Sequence, residues 1–134
     1  MDRPERSENG APRGRQAGVE LTAAALFTLL WDALADLLGT AATATLVRRA
    51  TRRAALHDPE LAGVAIVRES VEYRYSLPST WQDRTAVAQR ALHHLVEELL
   101  PLLVELTGPV AVRHLAQIPE LRERGIIPPP EEMP

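Results

Sequence analysis

The stretch Leu21–Leu38, LTAAALFTLLWDALADLL, decides how the rest of the chain is read. Its apolar residues nearly encircle a helix that only Asp32 and Asp36 interrupt. A helix that is apolar around most of its circumference must be covered around most of it. In a chain of 134 residues, one way to provide that cover is a second copy of the same protein.

The helix begins at about Glu20 and stops at Gly39, with Thr40 placed to cap the next one. The second helix spans Thr40 to about Leu56. Its first half, TAATATLV, is small enough for close approach to a neighbour, and its second half carries Arg48, Arg49, Arg52 and Arg53 near the negative end of the helix dipole. Asp58 and Pro59 end it, because a residue before proline is pushed out of the α region. The two helices form an αα-hairpin.

From Gly63 the period changes. Val71, Tyr73, Tyr75 and Leu77 alternate with Glu72, Arg74 and Ser76, the signature of a strand with one wet face. Val64 and Ile66 have the opposite parity, so the chain must turn or bulge near Glu69 and Ser70 for both sets to face one core. A short antiparallel hairpin satisfies this, and one long bulged strand is the alternative. A lone two-stranded sheet is marginal in water, so it must lie on the helices or pair with the hairpin of another subunit.

Pro78 closes the strand, and Ser79 with Gln82 has capping-box spacing, which starts a third helix near Thr80. Its apolar stripe includes Val87, Ala91, Leu92, Leu95, Leu99, Leu103 and Leu106, and Pro101 inside it should kink the helix or end it for a restart. A short helix, PVAVRHLAQ, and a last turn, PELRERG, follow Gly108 and Pro109. The expected fold is therefore mainly α with a small β element (α+β): an αα-hairpin, a short antiparallel β-hairpin at about residues 63–77, a long kinked helix and a short C-terminal helix. The helices pack as a bundle against the hairpin. Residues 19–127 form one globular domain, residues 1–18 a disordered arm, and residues 128–134 an extended proline-rich tail.

Composition narrows the function classes. The 46% hydrophobic and 25% charged fractions are those of a globular protein, and no charge-free run approaches the ~20 residues of a bilayer span. The first eighteen residues are too polar for a secretory leader, which points to the cytoplasm. With no cysteine there is no disulfide frame, thiolate metal site or thiol nucleophile. All fifteen basic residues are arginine, which removes Schiff-base and P-loop lysine chemistry. The net charge of −3 makes no global case for nucleic acid.

Each remaining constellation has a bland reading beside a functional one. His93 and His94 are adjacent and point about 100° apart on a helix, so they do not readily share a metal, and His57 and His114 have no ligand spacing around them. Asp32 and Asp36 either mark the wet stripe of the first helix, or pair with Arg48 or Arg52, or line a polar site. The cluster Arg48, Arg49, Arg52 and Arg53 is an anion or partner surface, or else the solvated end of its helix. Tyr73, Tyr75 and Trp81, with His93 or His94 at the mouth, either wall a small-ligand pocket between hairpin and helices or form the core face of the sheet.

No nucleophile elbow or phosphate-cradling loop is present, and nothing calls for a metal or cofactor. The leading expectation is a non-enzymatic regulatory, adaptor or structural module that forms a homodimer through Phe27, Leu30, Trp31 and Leu34 of the first helix and Leu92, Leu95, Leu99 and Leu103 of the third. An acidic protein is a further possible partner for the arginines. The alternatives are a small-ligand sensor and a phosphate or nucleic-acid binder.

Overall fold

A computed structural model describes residues 21–128; the expected N-terminal arm and all but the first residue of the proline-rich tail lie outside the described residues. The elements run α1 (Ala23–Leu38), α2 (Thr40–Ala55), β1 (Ala65–Glu69), β2 (Glu72–Ser76), α3 (Ala86–Thr107), α4 (Val110–Ala116) and α5 (Pro119–Glu123). Two 3-10 turns, Pro59–Gly63 and Ser79–Gln82, flank the hairpin. The fold is mainly α with one antiparallel β-hairpin, as the periodicity indicates.

Helix α1 starts later than expected because Thr22 supplies its cap, the hydroxyl accepting from the Ala25 amide at 3.1 Å. Gly39 ends it at φ +89°, a conformation that costs a side-chain-bearing residue free energy, and the same residue opens α2 directly. Thr40 is therefore the first residue of α2 and not its cap. Helix α1 is the hub of the domain. It touches α2, α3, α4, α5 and the Ser79–Gln82 turn, and Ala23, Leu26, Phe27, Leu30 and Leu34 are fully or almost fully buried.

This wrapping corrects the self-association surface. Phe27, Leu30, Trp31 and Leu34 of α1, and Leu92, Leu95, Leu99 and Leu103 of α3, are all between 0% and 6% exposed within a single chain. The cover that the apolar helix demands comes from the chain's own α2, α3, α4 and α5. Those eight side chains hold the monomer together and offer nothing for a second copy to touch. Asp32 and Asp36 lie on the exposed stripe of α1.

The hairpin turns where the parity switch requires. Its register pairs Ile66 with Tyr75, Arg68 with Tyr73 and Glu69 with Glu72, so Ile66, Tyr73 and Tyr75 share one face. The closing pair leaves Ser70 and Val71 as a two-residue turn, with Ser70 at φ +59° in the first central position. Val71 is consequently in the turn and 80% exposed, where alternation had placed it on the core face. Gly63 admits Pro78 beside it: a Cβ there would lie 2.9 Å from the proline Cγ, so glycine lets the entry and exit of the hairpin close up.

Helix α3 begins at Ala86, capped by Thr85, whose hydroxyl accepts from the Ala88 amide at 3.1 Å. The Ser79–Gln82 spacing forms a separate 3-10 turn that buries Trp81 completely, so the expected start near Thr80 falls short by more than a turn. The helix then passes Pro101 without a break, the proline lying on its exposed side. Val87 and Leu106, expected in its apolar stripe, are 45% and 56% exposed. No described helix is long and apolar enough to cross a membrane.

Candidate functional site

Three places bring chemistry-bearing side chains together: the seat of the hairpin, the junction of α2 with α3, and a groove along α3. At the first, α2 and α1 each hold one strand. Arg48 donates from Nη2 to the Ile66 carbonyl at 3.0 Å, and the Tyr75 hydroxyl shares a hydrogen bond of 2.9 Å with Thr28 of α1. The Tyr75 ring lies edge-on to Phe27 at 4.8 Å and tilted against Trp31 at 5.0 Å, while Trp81 meets Phe27 at 6.3 Å. These rings pack on one another where the hairpin meets α1 and the Ser79–Gln82 turn. Tyr75 and Trp81 are packing residues, and Tyr73 lies 6.0 Å beneath the Arg68 guanidinium. The Trp81 indole N–H has no hydrogen-bond partner among the described residues.

The arginine cluster is thereby divided. Arg48 is half-buried and tethers β1; Arg53 is paired with Glu98 of α3 at 3.4 Å. Arg49 and Arg52 are exposed on the outer side of α2. Four guanidiniums therefore do not form one anion-gripping surface, and none of the four pairs with Asp32 or Asp36.

At the α2–α3 junction, His94 Nδ1 and Asp58 Oδ2 are 2.8 Å apart, and Asp58 Oδ1 accepts from the Glu60 amide at 3.1 Å. Asp58 is 8% exposed, so both of its oxygens are occupied in a site mostly closed to water. The sequence marks Asp58 as a helix terminator; nothing in its spacing announces the partnership with His94. The pair ties the chain after α2 to the middle of α3.

His93, one residue away, points elsewhere, as the 100° step between helix neighbours requires. It forms a shared wall of two adjoining cavities. One, of about 320 Å³, is lined by Leu21, Arg84, Gln89, His93 and Arg124 among others, and among the described residues no carboxylate lines it. The other, of about 490 Å³, is formed where the C-terminal segment returns to α3, with Val96, Leu100, Ile126 and Ile127 as its apolar lining and Glu97, Arg122 and Glu123 around them. Sequence reasoning singled out His93 but missed the rest of this groove, since Arg84, Arg124, Ile126 and Ile127 come from segments that meet only through the path of α4 and α5. His57 and His114 are exposed and line neither cavity. Among the described residues, no group of three or more histidine or carboxylate side chains could hold a metal ion.

Comparison with known protein families, characterised proteins and solved structures finds no match to this chain.

Proposed function

We propose that this chain is a cytoplasmic, non-catalytic binding module whose ligand is a small amphipathic anion, a carboxylate carrying a short apolar chain, taken up in the groove at His93. The observation that carries this reading is the pairing of two ligand-sized cavities across one side chain, the first with the exposed guanidinium of Arg84 in its lining and the second lined in part by aliphatic side chains. A carboxylate group suits the first, because Arg84 offers a planar fork of donors and the His93 ring can donate an N–H. An aliphatic tail suits the second, where half-buried Leu100 and Pro128 are the accessible part of the apolar lining.

Octanoate is the probe. Titrated into the full-length protein and followed by side-chain histidine NMR signals, it shifts His93 saturably and leaves His57 and His114 in place. Octanol, which lacks the charge, does not compete. Arg84 is exposed, so Arg84→Ala keeps the fold and weakens octanoate binding by about ten-fold, the value of one charge-assisted contact. An unmoved His93 signal, or equal binding by Arg84→Ala, overturns the reading.

A second reading, self-association, is supported by a different observation. The hairpin has only two strands, and the outward-facing backbone groups of β2 have no partner among the described residues. Native mass spectrometry of the full-length protein tests it: a dimer that dissociates on dilution supports the reading, and a bare monomer at every concentration overturns it.

A further inference from the structure

The hairpin carries enough information to say how a second copy would add to it. Antiparallel pairs alternate between those that exchange backbone hydrogen bonds and those that do not. Across the two-residue turn, Glu69 and Glu72 are a bonded pair; Arg68 with Tyr73 and Ile66 with Tyr75 are then non-bonded pairs, whose N–H and C=O groups point away from the ladder. The Ile66 carbonyl does point out, because Arg48 takes it from outside the sheet. On the other strand the same phase turns the amides and carbonyls of Tyr73 and Tyr75 outward, and no described backbone group bonds to them. Buried unpaired backbone groups are rare, so this edge is wet and open to a strand.

We infer that the partner for this edge is β2 of a second copy, paired antiparallel about a two-fold axis at Tyr73, so that Glu72 lies opposite Arg74 of the partner subunit and Arg74 opposite Glu72 of the partner subunit. This rests on the self-association reading and is independent of the groove at His93. Charge selects the register. Only registers that oppose outward-facing residues are allowed, and these step by two positions along the strand. Centring the axis on Glu72 sets two carboxylates face to face, and centring it on Arg74 sets two guanidiniums face to face; like charges directly opposite are destabilising. Centring it on Tyr73 brings two opposite-charge pairs into the close, non-bonded positions.

The hairpin alone leaves that face unbalanced. Arg74 is the single cation between Glu69 at 2.7 Å and Glu72 at 3.7 Å, and Glu69 and Glu72 are cross-strand neighbours. A second guanidinium beside Glu72 answers the surplus. The contact is short, so association follows protein concentration closely.

The absence of native cysteine makes the register directly readable. Full-length Glu72→Cys and Arg74→Cys chains are oxidised separately and as a mixture. A non-bonded antiparallel pair holds its Cα atoms about 4.5 Å apart, within disulfide reach, whereas positions two residues out of register are not. The inferred register predicts cross-linked dimer in the mixture and none from either chain alone; the mixed dimer also keeps one native Glu72–Arg74 pair. Cross-linking of Arg74→Cys with itself, or of Glu72→Cys with itself, overturns the register. No cross-link in any sample, with wild-type protein dimeric by native mass spectrometry, overturns the edge as the contact and leaves self-association standing. A wild-type chain monomeric at every concentration overturns both.

Discussion

Helix α1 touches four other helices and the Trp81 turn, whereas the hairpin rests on the bundle through one face and leaves Val67, Glu69, Glu72 and Arg74 of the other in water. Both have an apolar inner face, so hydropathy alone does not distinguish them. What distinguishes them is closure. A helix satisfies its own backbone groups and needs only side-chain cover, which α2 to α5 provide. A two-stranded sheet leaves half of its backbone groups facing outward on each strand, and here a single side chain, Arg48, answers one of them. Apolarity therefore marks where this chain closes on itself, and unpaired backbone marks where it is open.

That contrast can be broken most violently in α1. Leu30→Arg places a charge in a position that is 1% exposed within the hydrophobic cluster, at a cost of about 5 kcal/mol or more. The expected outcome is loss of cooperative unfolding in a circular dichroism melt. A folded Leu30→Arg variant of altered mass in solution would return the self-association surface to α1.

Tyr75→Ala removes the ring that seats the hairpin on Phe27 and Trp31 together with the hydroxyl bond to Thr28. Because Tyr75 is only half-buried, the cost is about 2 kcal/mol, less than for a fully buried aromatic. Helix content in the far ultraviolet stays unchanged while the melting temperature falls. Arg48→Ala, which gives up one bond from a charged donor, costs about 1 kcal/mol in chemical denaturation. Arg49→Ala and Arg52→Ala each stay within about 0.5 kcal/mol, as exposed positions do. Equal losses at Arg48 and Arg49 would show that the cluster acts as a unit after all.

One effect has the opposite sign. Ser70→Gly relieves a side chain held at φ +59° and stabilises the hairpin by about 0.5–1 kcal/mol, seen as a higher melting temperature. An unchanged or lower value would mean that the serine conformation costs nothing in this turn.

Local patterns were legible and long-range ones were not. The parity of Ile66 against Tyr73 and Tyr75 placed the turn correctly, since strand alternation is a property of the backbone itself. The same rule misplaced Val71, because it treats a turn residue as part of a strand. Ser79 and Gln82 have genuine capping spacing, yet Thr85 caps α3, and burial of Trp81 fixes the intervening 3-10 turn. That α1 is sealed within one chain depends on where α4 and α5 come to rest, which no local signal carries. The groove at His93 shares that dependence. Adjacency did show that His93 and His94 face different ways; that one meets Asp58 and the other a cavity is a tertiary fact.

Amide hydrogen exchange of the full-length protein, resolved by residue and repeated across a range of concentrations, tests the contrast directly. In dilute solution the account predicts that α1 amides exchange only through global unfolding while the Tyr73 and Tyr75 amides exchange fast. On concentrating the sample, Tyr73 and Tyr75 become protected and α1 does not change. Protection that rises with concentration along α1, with Tyr73 and Tyr75 exchanging fast throughout, would contradict it.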